Sequence, residues 1–276
     1  NVLKFVAQSV KKHVKHYKKA TYGRMEADVF AVCISYEDMQ ATMEKIGAIK
    51  RHFNNYPLEF DIVPAFGIYV IDDPELPVEL MLDRAKLAAK TIKGQFLKNY
   101  AFYTDDMGAA LEEEQQIINE MVHALETEQF TVYFQPKYNV KSKLPVGAEA
   151  LVRWEHPEKG LISPGKFVPI FEKNGFITKL DFYVWNKVCF MLRGWLDEGE
   201  KPNPISVNMS RVNLFNPNIV KILCDLTDSY NIPRELLQLE LTESAYADAT
   251  AAMKEKVKRF REEGFLVLMD DFGSGY

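Results

Sequence analysis

Glu149, Asn208, Glu240, Asp270 and Asp271 are the residues of this chain whose types and placement are best suited to chemistry. Each is read at or just past the C-terminal end of a short apolar run of strand character: Gly147–Trp154, Pro204–Ser210, Leu236–Thr242 and Phe265–Phe272. Helix-like stretches separate most of these runs. Strands alternating with helices specify a parallel sheet or a (β/α) barrel. A barrel gathers polar groups from strand C-termini at one mouth. Four carboxylates and one amide gathered there form an oxygen-rich pocket suited to a hard divalent cation such as Mg²⁺ or Mn²⁺. Taken singly, each residue has a plainer role: Glu149 as a salt-bridged strand residue, Asn208 in a turn, Asp270-Asp271 as a helix cap. Their combination carries the argument.

Composition narrows the rest. With 276 residues, the chain has room for two ordinary domains, or for a barrel with an appendage. Hydrophobic and charged fractions of 47% and 26% are those of an ordinary globular protein. A net charge of −5 argues against a nucleic-acid polymer as partner. The basic cluster Lys11, Lys12, Lys15, Lys18 and Lys19 reads as the solvated face of an amphipathic helix whose other face is Val2, Leu3, Phe5, Val6, Val10 and Val14. Cys33, Cys189 and Cys224 are far apart and odd in number, and read as reduced core thiols of a cytoplasmic protein. No run approaches the ~20 apolar residues of a membrane span. The first residue is not Met, so membrane contact is left to unseen parts of the parent chain.

The pattern divides into an α+β unit over 1–104, a connecting helix over 105–128, and a second domain over 129–276. The first unit should run as a helix near Val2–Tyr17, a buried strand Val29–Ile34, a helix Asp38–Phe53, a strand or hairpin arm within Phe60–Ile71, a helix Val78–Ile92 and a short strand Tyr100–Tyr103. The connecting helix presents Ile117, Ile118, Met121, Val122 and Leu125 as one face. The second domain opens on a strand Phe130–Gln135 closed by Pro136. Helices are expected near Pro164–Asn174, Leu180–Glu198, Asn216–Tyr230 and Ala247–Glu263. The Met and Phe positions of Phe182–Leu196 read as core-facing, and His156 as a turn-packing residue.

The run Glu149-Ala150-Leu151-Val152-Arg153-Trp154 resembles the signature that names EAL domains, the cyclic di-GMP phosphodiesterases. The resemblance continues in order through Phe134-Gln135-Pro136, His156-Pro157, Gly160-Leu161-Ile162, Phe167-Val168-Pro169, Ser206-Val207-Asn208-Met209-Ser210, Leu239-Glu240-Leu241-Thr242-Glu243-Ser244 and Asp270-Asp271-Phe272-Gly273-Ser274-Gly275. It covers about 115–276. The first unit resembles a GGDEF (diguanylate cyclase) domain whose signature has decayed. Tyr22-Gly23-Arg24-Met25 leads into Glu26-Ala27-Asp28-Val29-Phe30 where that family carries Gly-Gly-Asp-Glu-Phe, and Ala65-Phe66-Gly67-Ile68 and Asp83-Arg84-Ala85-Lys86 fit the same family. Loss of both glycines puts Cβ atoms where backbone must approach a nucleotide, so no cyclase activity is expected.

These resemblances imply an α/β chain: a TIM-like (β/α) barrel, truncated as given, preceded by an α+β GGDEF-like domain whose first strand is missing. They imply metal-dependent hydrolysis of cyclic di-GMP to pGpG, with Glu149, Asn208, Glu240 and Asp270 as metal ligands and Asp271 on the second ion of a Mg²⁺ or Mn²⁺ pair. Gln135, Leu151 and Arg153 would contact substrate, Arg153 through its bidentate fork. The family's base lysine, a further acid and a late glutamine would follow Tyr276. A homodimer through the EAL domain is the implied assembly. The alternative is an inactive cyclic di-GMP receptor.

Overall fold

The valines of Val2–Val14 recur at helical spacing, and this stretch is helix α1, with Val10 and Val14 buried. The computed structural model describes residues 2–15, 17, 19–53, 62–95, 98–243 and 250–270. The chain divides into two units, Asn1–Glu113 and Glu114–Tyr276.

In the first unit, α1 and α2 (Met39–Phe53) bury Val10, Val14 and Phe53 with Phe5, Ile34, Ile49 and Phe66 packed against them. Strand β1 (Thr21–Glu26) pairs antiparallel with β2 (Val29–Cys33) around the turn Ala27-Asp28. β1 has no apolar alternation, and all six of its residues are exposed, which is why the sequence pattern does not announce it. β2 is half-exposed instead of buried, and among the described residues it pairs with β1 alone. Cys33, at its end, is exposed and not a core thiol. Of the expected arm Phe60–Ile71, only β3 (Phe66–Ile68) is strand; residues 60 and 61 lie outside the described residues. β3 pairs parallel with β4 (Tyr100–Phe102), and α3 (Val78–Ile92) forms the crossover. Gly67 makes that packing possible: a Cβ there would lie 1.8 Å from the Ala85 carbonyl oxygen and 2.5 Å from Ala89 N.

Helix α4 (Asp105–Glu126) contains the division between the units. Its buried face is Ile117 and Ala124, with Met121 and Leu125 beside them, whereas Val122 is exposed. The second unit then builds one sheet. Its strands are β5 (Phe130–Tyr138), β6 (Pro145–His156), β7 (Gly160–Ile162), β8 (Ile205–Asn208), β9 (Leu237–Thr242) and β10 (Val267–Asp270). The order is β10-β9-β8-β6-β5, with β7 also on β6. β6, β8, β9 and β10 are mutually parallel; β5 and β7 run antiparallel to β6. The sheet with its helices is a mostly parallel α/β arrangement, consistent with a TIM-like barrel. Pro136 does not close β5 but sits inside it, opposite Ala148. β5 ends the strand order, and an edge strand tolerates a missing N–H donor.

One face of this sheet is apolar. Ala150, Ile205, Val207, Leu237, Leu239 and Leu241 are buried against α6 (Ile177–Asp197), α7 (Ile219–Ser229) and α8 (Ala251–Glu262). A second cluster, Phe130, Trp154, Phe167 and Phe171, packs α5 (Pro164–Asn174) against β5 and β6. In α6, Phe182 and Phe190 are exposed instead of core-facing. The buried stripe is Leu180, Val184, Val188 and Leu192; Phe182 and Phe190 lie on the other side of that helix and line an open groove of about 840 Å³ with Ile222 and Tyr230. Among the described residues, no helix is long and apolar enough to cross a membrane.

Candidate metal centre

Side chains alternate along a strand, so the residues between the apolar ones fall on the opposite face of the sheet. The register puts Gln135 beside Glu149, Glu149 beside Ser206, Asn208 beside Glu240, and Asp270 beside Thr242. Four strands thereby bring Glu149, Asn208, Glu240 and Asp270 together. One oxygen each from Glu149, Glu240 and Asp270 lies within 4.8 Å of the others. Asn208 donates from Nδ2 to Glu149 Oε1 at 3.1 Å. Asn208 and Asp270 end their strands, as the sequence pattern predicts, but Glu149 and Glu240 do not. β6 continues past Glu149 for seven residues because β5 and β7 pair with it beyond the reach of β8. Asp271 lies outside the described residues.

The electrostatics of this cluster are unfavourable by themselves. Glu240 is 5% exposed, and among the described residues its Oε2 has no hydrogen-bond partner. Burial first, then the charges of Glu240 and Asp270, push the Glu149 carboxyl above its usual range, against the opposing pull of the Asn208 hydrogen bond and Lys137. An orphaned buried carboxylate oxygen beside two further acids fits a divalent cation, and the donor set is all oxygen.

Lys137 is the residue that sequence reasoning missed. Its Nζ makes an ion pair with Glu240 Oε1 and donates to Ser206 Oγ at 2.7 Å. The signal was available: Lys137 is two positions past Gln135 and so shares its face, but reading Pro136 as a strand end hid this. Also unforeseen is the support behind Asn208. Trp185 Nε1 donates to the Asn208 carbonyl at 3.1 Å, and the buried Asp181 carboxylate accepts from Ser210 N at 3.0 Å and Asn213 Nδ2 at 2.7 Å. Burial raises the Asp181 pKa to about 6.

Of the expected substrate contacts, Gln135 is exposed directly across from Glu149. Leu151 and Arg153 follow Glu149 on its face, at steps of two residues. The Arg153 guanidinium lies 5.9 Å from the Tyr133 ring, and its NH1 donates to the Val152 carbonyl at 2.9 Å. His156 packs a turn, as expected: Nδ1 accepts from Glu158 N and Lys159 N at 3.1 Å each, leaving Nε2–H to donate to Glu120.

Residues 118–276 match the family model described as the EAL domain. The chain belongs to the EAL domain family. The EAL chain is 31% identical over 281 residues to the bifunctional diguanylate cyclase/cyclic di-GMP phosphodiesterase MucR of Pseudomonas aeruginosa. That match takes in 98% of the chain but only 40% of MucR's length. Against a solved structure of the MucR phosphodiesterase in complex with c-di-GMP, identity is 34% and the TM-score 0.56, over 58% of this chain and 65% of that one. The Vibrio cholerae LapD S helix-GGDEF-EAL structure, bound to c-di-GMP, shares the fold at 15% identity and TM-score 0.56, over 99% of this chain and 64% of that one.

Proposed function

We propose that the second unit hydrolyses cyclic di-GMP to pGpG in bacterial second-messenger signalling, with Mg²⁺ or Mn²⁺ as a two-ion cofactor. The observation that carries this reading is the meeting of Glu149, Glu240 and Asp270 oxygens within 4.8 Å on one polar sheet face. Membership of the EAL family and the likeness to the MucR phosphodiesterase support it. Glu149, Asn208, Glu240 and Asp270 would hold one ion, and Asp271 would join at the second. When bound, ions of this kind would lower the pKa of water and offset charge on phosphoryl oxygens.

The chain's own residues bind and orient. Arg153 grips a substrate phosphate with its planar fork, which suits an anionic diester better than a point charge. Gln135 contacts the dinucleotide from the edge strand, and Leu151 supplies an apolar surface between Glu149 and Arg153. Asp181 and Trp185 position the Asn208–Asn213 segment, so that Asn208 stays at the strand end it occupies.

The first unit is assigned as a degenerate GGDEF-like domain without cyclase activity. The division of labour is 1–104 for that domain, 105–128 for the connecting helix and 129–276 for the EAL domain. The likeness to a GGDEF-EAL structure over nearly the whole chain supports this reading of the fold. Its role is regulatory or dimerising. The protein works in the cytoplasm as a homodimer through the EAL domain, with any membrane anchor on other parts of the parent chain.

The test is to incubate the full-length protein with cyclic di-GMP and Mn²⁺, then Mg²⁺, and identify products by mass spectrometry. The expected product is pGpG, lost on adding EDTA and in Glu149→Ala. Binding of cyclic di-GMP without turnover would replace the enzyme with a receptor.

A further inference from the structure

The acid cluster contains a cation of its own. Lys137 sits on β5, yet its ammonium reaches Ser206 on β8 and Glu240 on β9, two and three strands away. Strands lie about 4.8 Å apart, so the side chain must extend across the polar face. Its cross-strand neighbour on β6 is Gly147, which offers no side chain to block that path. The ammonium is held in place, because Ser206 is fully buried and its hydroxyl is committed on both sides. Oγ accepts from Lys137 at 2.7 Å and donates to the Ala148 carbonyl at 3.3 Å.

We infer that Lys137 is a resident counter-cation that holds the acid cluster together before metal binds and then competes with the incoming ion for Glu240. The inference rests on the metal reading above and adds a residue to it. Glu149, Glu240 and Asp270 carry three negative charges in close quarters, and Lys137 offsets one of them. Oε1 of Glu240 is engaged, while Oε2 is buried and, among the described residues, without a partner, so the carboxylate that holds the ammonium is also one that would hold an ion. A unit charge within a few ångströms of a divalent ion repels it strongly at any interior dielectric. Loading the ion therefore weakens or breaks the Lys137–Glu240 pair, and part of the metal's binding free energy is spent displacing it.

Two signs follow from removing the lysine charge. The metal-free protein loses the partner of a buried carboxylate, which lowers its melting temperature. The ion meets less competition, which tightens its binding. A residue that merely shaped the ligand would weaken binding instead.

The experiment titrates full-length wild-type and Lys137→Gln protein with Mn²⁺ alone, reading free Mn²⁺ by electron paramagnetic resonance, with melting temperatures in EDTA and at saturating Mn²⁺. Lys137→Gln should bind Mn²⁺ about tenfold more tightly, melt lower in EDTA and gain more from Mn²⁺. Ser206→Ala keeps the charge but frees the lysine from its anchor, and should tighten binding by a smaller factor. This second variant decides the matter if Lys137→Gln fails to fold. Equal or weaker Mn²⁺ binding in the variants, with wild type binding normally, overturns the role of Lys137 and leaves the metal reading standing. No Mn²⁺ binding by any of the proteins overturns both.

Discussion

The hairpin Thr21–Cys33 and the sheet that carries Glu149 both present acids from strands, in opposite surroundings. In the hairpin, the Glu26 side chain is 68% exposed and meets Lys86 at 3.5 Å, where water solvates both charges. In the sheet, Glu240 is 5% exposed, with one oxygen unpartnered among the described residues and two further carboxylates within reach. An exposed acid costs a fold almost nothing. Burying a like-charged cluster is unfavourable unless a counter-charge is meant to arrive. The contrast separates an acid that the surface tolerates from a cluster that has the physical form of a site.

The sharpest way to break that contrast is to neutralise one acid of the cluster. Asp270→Asn should cut turnover of cyclic di-GMP by at least about 10²–10³-fold, as expected when one group stabilising transition-state charge is lost. The same change should raise the melting temperature of the EDTA-treated protein, because it relieves repulsion among the clustered acids. The pH dependence has a definite sign. Glu149 has a raised folded pKa, so metal-free stability is lost as pH rises from the ordinary carboxylate range through that raised value. Saturating Mn²⁺ should reverse the slope. Melting curves in EDTA and in Mn²⁺ at several pH values check this, and unchanged turnover in Asp270→Asn would remove the site.

The first unit has its own tight constraint, which is steric. Gly67 meets backbone of α3, not a flexible side chain, and a methyl group has nowhere to go. Gly67→Ala should destabilise that unit by about 3 kcal/mol or more, an overpacking penalty at the high end because backbone must shift. Mn²⁺ affinity should persist, since Glu149, Glu240 and Asp270 all belong to the second unit. Denaturant melts with a Mn²⁺ titration at low denaturant test both halves of the statement.

Much of the second unit was legible because its strands are short apolar runs interrupted by polar residues. The runs around Val207, Leu239 and Leu268 fixed strand positions to within a few residues, and the acids between the apolar positions had to share a face. What stayed hidden was of three kinds. Strand β1 has no buried face and therefore no hydrophobic period to read. Phe182 and Phe190 look like core by type alone, but they fall off the buried stripe of α6. Lys137, Ser206 and Asp181 act across strands or between helix and loop, through contacts at separations of 29–103 residues, which local pattern does not encode.

Asp181 sharpens the comparison from inside the second unit, because it is a buried acid whose neighbours are donors. Ser210 N and Asn213 Nδ2 satisfy it, yet burial still raises its pKa from 3.8 to about 6. Between those values the native state keeps a proton that the unfolded chain has released. Stability therefore falls as pH rises through that window, by up to about 3 kcal/mol. Asp181→Asn keeps an acceptor for both donors and carries no charge, so it should flatten this part of the profile. Unfolding free energies at pH 4, 5, 6 and 7 in EDTA measure it, and an unchanged slope would assign the pH dependence to the acid cluster alone.

The smallest expected effect belongs to Glu26. Its ion pair with Lys86 is long and exposed, and such pairs contribute between nothing and about 1 kcal/mol. Glu26→Gln should change stability by less than about 0.5 kcal/mol and leave Mn²⁺ affinity untouched. The same isosteric change at Glu240 should abolish Mn²⁺ binding, so the two substitutions form a matched pair with one chemistry and two environments. Equal responses at both positions would mean that burial does not distinguish the acids, and the division between surface and site would fail at its root.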